Sequence, residues 1–157
     1  MFTLTRLAAS LDALLAALPE RPAATPASLC VALSGGLDST LLLVALSRLN
    51  VERKLAVRLR AIHIDHGLQP DSARWADACR VLATACAVPF DDVRVVVPAG
   101  RGESPEAAAR AARYAALAAR LQPGEVLLTA HHADDQLETV LLQWLRGRCE
   151  LTPAFRH

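Results

Sequence analysis

Hydrophobic residues along the chain fall into short runs that are separated by longer stretches with helical spacing. Four runs rich in Val, Ile and Leu are apolar at successive positions rather than at alternate ones, which is typical of strands buried on both faces of a parallel sheet. The predicted strands are Leu29–Leu33, Val57–Ile64, Val93–Val97 and Val126–Thr129. The predicted helices are Thr3–Leu18, Ser39–Leu49, Asp71–Ala87, Pro105–Leu121 and Ala133–Arg146.

The alternation of these elements indicates the fold class. Each stretch between consecutive strands is long enough to hold a helical crossover, so the strands can lie parallel. One helix followed by four strand–helix units predicts an α/β fold, an open doubly wound parallel sheet with helices on both faces. A length of 157 residues is that of a single domain.

The composition excludes several classes of protein. Hydrophobic residues make up 53% of the chain and charged residues 21%, as expected for a globular domain, and no apolar run reaches the roughly 18 residues of a membrane span. A net charge of +1 is not that of a dedicated nucleic-acid binder. The N-terminal stretch is interrupted by Arg6, Asp12 and Glu20 and lacks the pattern of a signal peptide. We therefore expect a cytoplasmic protein that does not associate with a membrane.

The four cysteines, Cys30, Cys79, Cys86 and Cys149, form no C-x-x-C pair. Cys79 and Cys86 are seven positions apart and would share one face of a helix. We interpret the cysteines as buried free thiols in a reducing compartment, with a metal or redox pair as the alternative.

A glycine-rich loop follows the first predicted strand. Ser34–Ser39 reads SGGLDS and leads directly into a leucine-rich helix. Ligands of open parallel sheets bind beyond the carboxyl ends of the strands, and glycines allow the backbone to approach them closely. The N–H groups of such a loop, together with a helix N-terminus, can bind an anion. We predict a phosphate-binding loop in which Asp38 acts through Mg²⁺, because a carboxylate and a phosphate repel each other.

Other interpretations of this loop are a plain strand-to-helix turn or a different nucleotide motif. In a plain turn, Asp38 or Ser39 would cap the helix. The pattern is neither the G-x-G-x-x-G of dinucleotide sites nor the G-x-x-x-x-G-K-[ST] of P-loop proteins, so both of those sites are disfavoured.

Two further segments carry polar residues to the same predicted sheet edge. The segment AIHIDHGLQPDS (Ala61–Ser72) places His63 and Asp65 at the end of the second strand, where a histidine could also merely cap a turn. The segment TAHHADDQLETVLLQWLRG (Thr129–Gly147) follows the fourth strand. Its acids and histidines could bind a hard cation, or the acids could simply interact favourably with the dipole of the predicted helix; these residues are His131, His132, Asp134, Asp135 and Glu138.

The loop resembles the S-G-G-x-D-S motif of the PP-loop ATP pyrophosphatases at all six positions, which are Ser34, Gly35, Gly36, Leu37, Asp38 and Ser39. Enzymes of that family cleave ATP between the α and β phosphates and leave an adenylylated intermediate. The resemblance implies that these six residues bind ATP, with Mg²⁺ held at Asp38.

Three segments resemble one branch of that family, the tRNA(Ile)-lysidine synthetases. They are AIHIDHGL, GESPEAAARAARY (Gly102–Tyr114) and AHHADDQLET (Ala130–Thr139), and the last leads into a stretch that ends in LRG. The implied reaction uses ATP to adenylylate the carbonyl oxygen of the wobble cytosine in a CAU-anticodon isoleucine tRNA. The amine of free L-lysine then displaces AMP and forms lysidine.

The resemblance also implies roles for individual side chains. Asp135 and Glu138 would hold the ammonium group of lysine and help to remove its proton. Arg110 would reach a phosphate or the adenylate, although it could instead be a solvated arginine on an alanine-rich helix. His131 and His132 would contact the nucleotide or the base, and His63 and Asp65 would shape the adenine pocket.

Beyond Gly147 the tail RCELTPAFRH departs from the family pattern and shows no apolar strand. We expect a single PP-loop domain truncated after about residue 147, without the tRNA-binding domains of the family. The oligomeric state is open, a homodimer being one option. Two rival functions are a tRNA-thiolating enzyme, which the helical positions of Cys79 and Cys86 disfavour, and a nucleotide-binding remnant without catalysis.

Overall fold

The computed structural model describes residues 3–19, 25–65, 67, 72–96, 105–130, 142–145 and 148–149, the backbone alone at 105–107 and in the last two segments. None of the helices in this part of the chain is long and apolar enough to cross a membrane. The described elements are, in chain order, α1 (Leu4–Ala17), β1 (Ala27–Ala32), α2 (Leu37–Glu52), β2 (Val57–Asp65), α3 (Ser72–Ala85), β3 (Phe90–Arg94), α4 (Pro105–Arg120), β4 (Glu125–Thr129), β5 (Leu142–Leu145) and β6 (Arg148–Cys149).

The sheet has the strand order β3-β2-β1-β4-β5-β6. Strands β1 to β4 are parallel: β1 pairs with both β2 and β4, and β2 pairs with β3. The chain therefore runs outward from β1 to β3 and returns to the other side of β1. This reversal between β1 and β4 is the topological switch point at which open α/β sheets bind their ligands.

Helices cover both faces of the sheet, which confirms the doubly wound architecture predicted from the sequence. Alternate residues of β1 point to opposite faces. Leu29 and Val31 belong to a buried cluster with residues of α1, α2 and α3. Cys30 belongs to a second cluster, which includes Leu117 of α4. The continuous apolar run of β1 thus reflects burial on both sides.

A buried ion pair crosses the sheet away from the loop. Arg60 of β2 donates from Nε and Nη2 to the two carboxylate oxygens of Glu125 in β4, at 2.7 and 2.6 Å. The Glu125 side chain is fully buried. Nη2 also donates to the Arg120 carbonyl at 2.9 Å, and Nη1 donates to Asp91 at 2.8 Å. The guanidinium therefore ties β3, β4 and the end of α4 to β2.

The third strand differs in position from the prediction. β3 covers Phe90–Arg94 rather than Val93–Val97, because its register is set by pairing with β2, from Ala61 opposite Phe90 to Asp65 opposite Arg94. As an edge strand it tolerates polar residues, so the apolar pattern marks its position poorly. The Val95 N–H still donates to the Asp65 carbonyl at 2.8 Å, whereas Val96 is exposed.

The end of the described chain also differs from the prediction. Residues 133–141 and 146 of the predicted helix Ala133–Arg146 lie outside the described part, and Leu142–Leu145 is a strand that pairs antiparallel with both β4 and β6. A short apolar run fits a helix or a strand equally well by periodicity. The unpaired edge of β4 favours the strand, because it offers hydrogen-bonding groups that a helix could not use.

Helix α3 ends at Ala85, before the predicted end at Ala87. The chain turns there because Ala87 adopts a positive φ of 53°. Cys86 consequently lies in the turn and not on the same helical face as Cys79.

Candidate functional site

The anion loop, as we call Ser34–Ser39, joins β1 to α2 at the switch point. Helix α2 starts at Leu37, and its N-cap is Gly36, which makes no side-chain cap hydrogen bond. Neither Asp38 nor Ser39 therefore caps the helix, contrary to the plain-turn interpretation. The side chain of Leu37 is exposed, and that of Asp38 is half-buried in the first helical turn.

Two serine hydroxyls fix the shape of the anion loop. Ser39 is buried, and its hydroxyl donates to the Gly36 carbonyl at 3.0 Å while accepting from the Ser34 N–H at 3.2 Å. The Ser34 and Ser39 hydroxyl oxygens lie 3.0 Å apart. The Gly36 N–H donates to the Ser34 hydroxyl at 3.4 Å. The two serines that flank the glycines thus hold the turn through side-chain contacts.

Gly35 occupies the tightest point of the anion loop. Its φ is +84°, in the left-handed region that favours glycine. A Cβ atom at this position would lie 3.5 Å from Cys79 Sγ and 3.8 Å from Trp75 Cε3. Helix α3 therefore packs directly against the glycine turn.

A cavity of about 330 Å³ opens beside the anion loop at the carboxyl ends of β1, β2 and β4, between α3 and α4. Its size is that of a small-molecule site. The lining combines apolar strand residues with two aromatic rings and a few polar groups. The lining residues are Ala32, Leu33, Ser34, Gly36, Ile62, His63, Ile64, Asp65, Ser72, Trp75, Arg113, Tyr114, Leu117, Thr129 and Ala130.

Asp65 is a buried carboxylate in the wall of this cavity. One oxygen accepts from the Gly67 N–H at 2.8 Å, and the other accepts from Arg94 Nε at 3.2 Å. The Gly67 hydrogen bond is the main reason why the pKa of Asp65 is lowered, and hydrogen bonds from Arg94 and Ser72 add to it. The carboxylate is therefore ionised and holds the backbone of Gly67, just beyond β2.

His63 is buried next to Asp65 in the sequence and also lines the cavity. Its Nδ1 atom lies 2.7 Å from the Leu33 carbonyl oxygen. Cys79 Sγ lies 3.7 Å from the same Nδ1 atom and 3.8 Å from the Leu33 oxygen. Three elements, β1, β2 and α3, thus meet directly below the start of the anion loop.

Two arginines of α4 stack on one aromatic ring. The guanidinium carbon of Arg110 lies 5.5 Å from the centroid of the Tyr114 ring, and that of Arg113 lies 5.4 Å from it, both within the range of a cation–π contact. Arg113 and Tyr114 line the cavity, whereas Arg110 is exposed and does not. Arg113, and not only the predicted Arg110, therefore brings positive charge to this side of the cavity.

The second predicted polar cluster lies outside the described residues. This applies to His131, His132, Asp134, Asp135 and Glu138. Within the described part of the chain, no three His, Cys, Asp or Glu side chains come together in a group that could hold a metal ion. The single carboxylate of Asp38 still fits the usual environment of Mg²⁺, because this ion is bound through one or two carboxylates together with substrate phosphates.

Sequence reasoning missed Trp75 and the contact between Cys79 and the anion loop. A single tryptophan on an amphipathic helix carries no signal of a site, and the cysteine was correctly interpreted only as a buried thiol. Burial raises the pKa of the Cys79 thiol to about 11 and that of Cys30 to about 12. Both thiols are protonated, and neither is an activated nucleophile.

A family model described as the PP-loop domain matches residues 4–152. The chain is 59% identical over 118 residues to the tRNA(Ile)-lysidine synthase of Alkalilimnicola ehrlichii, which covers 75% of this chain and 26% of the relative. It is 48% identical over 117 residues to that of Methylococcus capsulatus, covering 74% and 26%. It is 48% identical over 126 residues to that of Xanthomonas campestris pv. campestris, covering 80% and 28%. The chain thus spans about a quarter of the length of these curated relatives. It belongs to the PP-loop domain family.

Proposed function

We propose that this chain is the ATP-binding, adenylate-forming part of a tRNA(Ile)-lysidine synthase. In the proposed reaction, ATP adenylylates the wobble cytosine of a CAU-anticodon isoleucine tRNA and releases pyrophosphate. Free L-lysine then displaces AMP and forms lysidine. The names of the relatives support the choice of tRNA.

The observation that carries the proposal is that the anion loop opens directly into the cavity. Ser34 and Gly36 belong both to the loop and to the cavity lining. A triphosphate at the loop N–H groups and the first turn of α2 would meet a favourable helix dipole. The adjoining cavity, with its apolar floor and aromatic walls, suits the nucleoside of the same molecule.

In this proposal the anion loop and α4 stabilise the negative charge of the phosphates. The loop N–H groups would stabilise the charge that develops on the leaving pyrophosphate. Asp38 would hold Mg²⁺, which when bound supplies additional positive charge at the same phosphates. The phosphate-binding role proposed for Arg110 extends to Arg113, because Arg113 lines the cavity.

Lysine recognition is assigned on the sequence pattern alone. The carboxylates of Asp135 and Glu138 would bind the ammonium group of free lysine and accept its proton before attack. His131 would contact the nucleotide or the base. The thiolation alternative is not favoured, because the thiol of Cys79, which lies beside the loop, is buried and protonated.

A chimera tests the proposal. The region of the A. ehrlichii enzyme that aligns with this chain is replaced by this chain's residues, and the purified chimera is incubated with ATP, Mg²⁺, L-lysine and CAU-anticodon isoleucine tRNA. Lysidine is measured by mass spectrometry of the digested tRNA, and pyrophosphate release is measured in parallel. The matched control is the same chimera with Asp38→Asn.

We expect lysidine and pyrophosphate in equal amounts from the chimera and neither from the Asp38→Asn control. A folded chimera that binds ATP but forms no lysidine would support a nucleotide-binding remnant and refute the proposed reaction. Pyrophosphate release that does not depend on tRNA would point to another member of the PP-loop family.

A further inference from the structure

The residue just before the anion loop is held mainly by β2. The Leu33 N–H donates to the Ile62 carbonyl at 2.8 Å, and the Leu33 carbonyl faces His63 Nδ1 at 2.7 Å. Leu33 is 1% exposed, so its backbone is almost entirely shielded from bulk water. The second group near this oxygen is the Cys79 thiol at 3.8 Å, which is a weak donor. His63 is therefore its main hydrogen-bond partner.

This contact fixes the tautomer of the histidine. A carbonyl oxygen only accepts hydrogen bonds, so the hydrogen must be on Nδ1 of His63. In the neutral ring, Nε2 then carries no hydrogen. His63 is 6% exposed, and its ring faces Leu33, which follows β1, and Cys79 of α3.

The hydrogen bond between His63 and Leu33 affects the ligand through the backbone of the anion loop. The peptide unit held by His63 leads into Ser34, whose N–H and hydroxyl make the contacts to Ser39 that close the anion loop. On the other side, Cys79 and Trp75 of α3 pack against Gly35. The loop is thus held from below by β2 and α3, and rotation of the Leu33 peptide would turn the loop N–H groups.

We propose that His63 is a positioning residue for the anion loop: its Nδ1–H group holds the Leu33 carbonyl and thereby sets the direction in which the loop N–H groups face the phosphates. The inference rests on the proposed function for its ligand, ATP. Without this donor, the buried carbonyl would lose its main partner, and the loop would bind phosphate in several orientations instead of one.

The tautomer is measured in the wild-type chain without any ligand. Long-range ¹H–¹⁵N NMR spectra distinguish a ring nitrogen that carries hydrogen from one that does not. We expect the neutral ring of His63 to show hydrogen on Nδ1 and none on Nε2. A ring with hydrogen on Nε2 alone would overturn the proposal whatever the protein binds.

Two matched substitutions test the consequence for binding. In His63→Asn the amide nitrogen can occupy the position of Nδ1 and still donate to Leu33, whereas in His63→Gln the amide lies nearer the position of Nε2. We expect the Gln variant to bind Mg-ATP about tenfold more weakly and the Asn variant to stay within about threefold of wild type. The readouts are calorimetric dissociation constants, the amide resonances of Gly35 and Gly36, and the melting temperature.

The outcomes separate the two proposals. If the wild type binds no ATP, the proposed function fails, but a shift of the Gly35 and Gly36 resonances in the Gln variant and not in the Asn variant still supports positioning. Equal loss of affinity in both variants, or unchanged affinity and resonances in both, overturns the positioning role. A variant that does not fold leaves the tautomer of the wild-type ring as the deciding result.

Discussion

Ser34 and Ser39 close the anion loop across its glycines, with their hydroxyl oxygens 3.0 Å apart. Because the Ser39 hydroxyl gives its hydrogen to the Gly36 carbonyl, the Ser34 hydroxyl is the donor between them. The loop therefore has one preferred arrangement of hydrogen bonds, in which Ser39 is the buried centre.

The first prediction concerns Ser39→Ala. The substitution leaves the Ser34 N–H without its acceptor inside the loop, so we expect about 1–3 kcal/mol lower stability and weaker ATP binding. Ser47→Ala is the control, because Ser47 lies in the same helix and donates to the Val44 carbonyl at 2.9 Å, away from the loop. Urea unfolding and calorimetry measure both variants. Equal ATP affinity in the two would contradict the structural role given to Ser39.

The second prediction compares two glycines with positive φ. Gly35→Ala and Gly124→Ala both force alanine into the left-handed region, with φ values of 84° and 75°, at a cost of about 1–2 kcal/mol each. Only the new Cβ at position 35 meets other atoms, those of Cys79 and Trp75. We expect similar losses of melting temperature in both, but loss of ATP binding in Gly35→Ala alone. Similar ATP affinities would show that the turn does not shape the site.

The third prediction concerns the buried ion pair. Glu125→Gln removes the buried carboxylate of the pair and leaves the Arg60 guanidinium, whose side chain is 12% exposed, with only the exposed carboxylate of Asp91, so we expect a loss of up to about 3–5 kcal/mol. Asp12→Asn removes the exposed pair with Arg53 and should cost less than about 1 kcal/mol. Urea titrations measure the loss in free energy of unfolding for both variants. A cost below that of Asp12→Asn would mean that the buried pair does not hold the sheet together.

The fourth prediction concerns the loss of stability at low pH. The native pKa of Asp65 lies below its ordinary value of 3.8, so the unfolded chain binds its proton first as the pH falls. The stabilisation from this carboxylate is complete above that ordinary value and is lost as the pH falls through the lower native pKa. Asp65→Asn should therefore lower stability at neutral pH and reduce the decline on acidification. Urea midpoints between neutral pH and about pH 3 test this, and parallel curves for the two proteins would contradict it.

The sequence predicted those parts of the fold whose signals are local. The apolar run around Cys30 indicated a strand buried on both faces, and the glycines after it indicated where a ligand binds. The predicted bounds of β3 were wrong because its position depends on pairing with β2 and not on its own polar sequence. Leu142–Leu145 was ambiguous because its partner, the edge of β4, is distant in the chain.

The residues of the site likewise divide into those with a local sequence signal and those without one. Ser34 and Gly35 could be identified because a phosphate loop has a short, contiguous pattern. The contact of Trp75 with Gly35 could not, because it joins residues forty positions apart through the packing of α3. The hydrogen bond from His63 to Leu33 likewise depends on the neighbouring positions of β1 and β2. Such contacts have no pattern along one chain.

The most direct measurement is calorimetric binding of Mg-ATP to this chain, with Asp38→Ala as the control and circular dichroism to show that both are folded. We expect a single site that the substitution weakens at least tenfold, because Asp38 belongs to the anion loop and lies in the first turn of α2. A folded wild-type chain that binds no Mg-ATP, or binds it equally well without the Asp38 carboxylate, would contradict the assignment of the loop as the phosphate site.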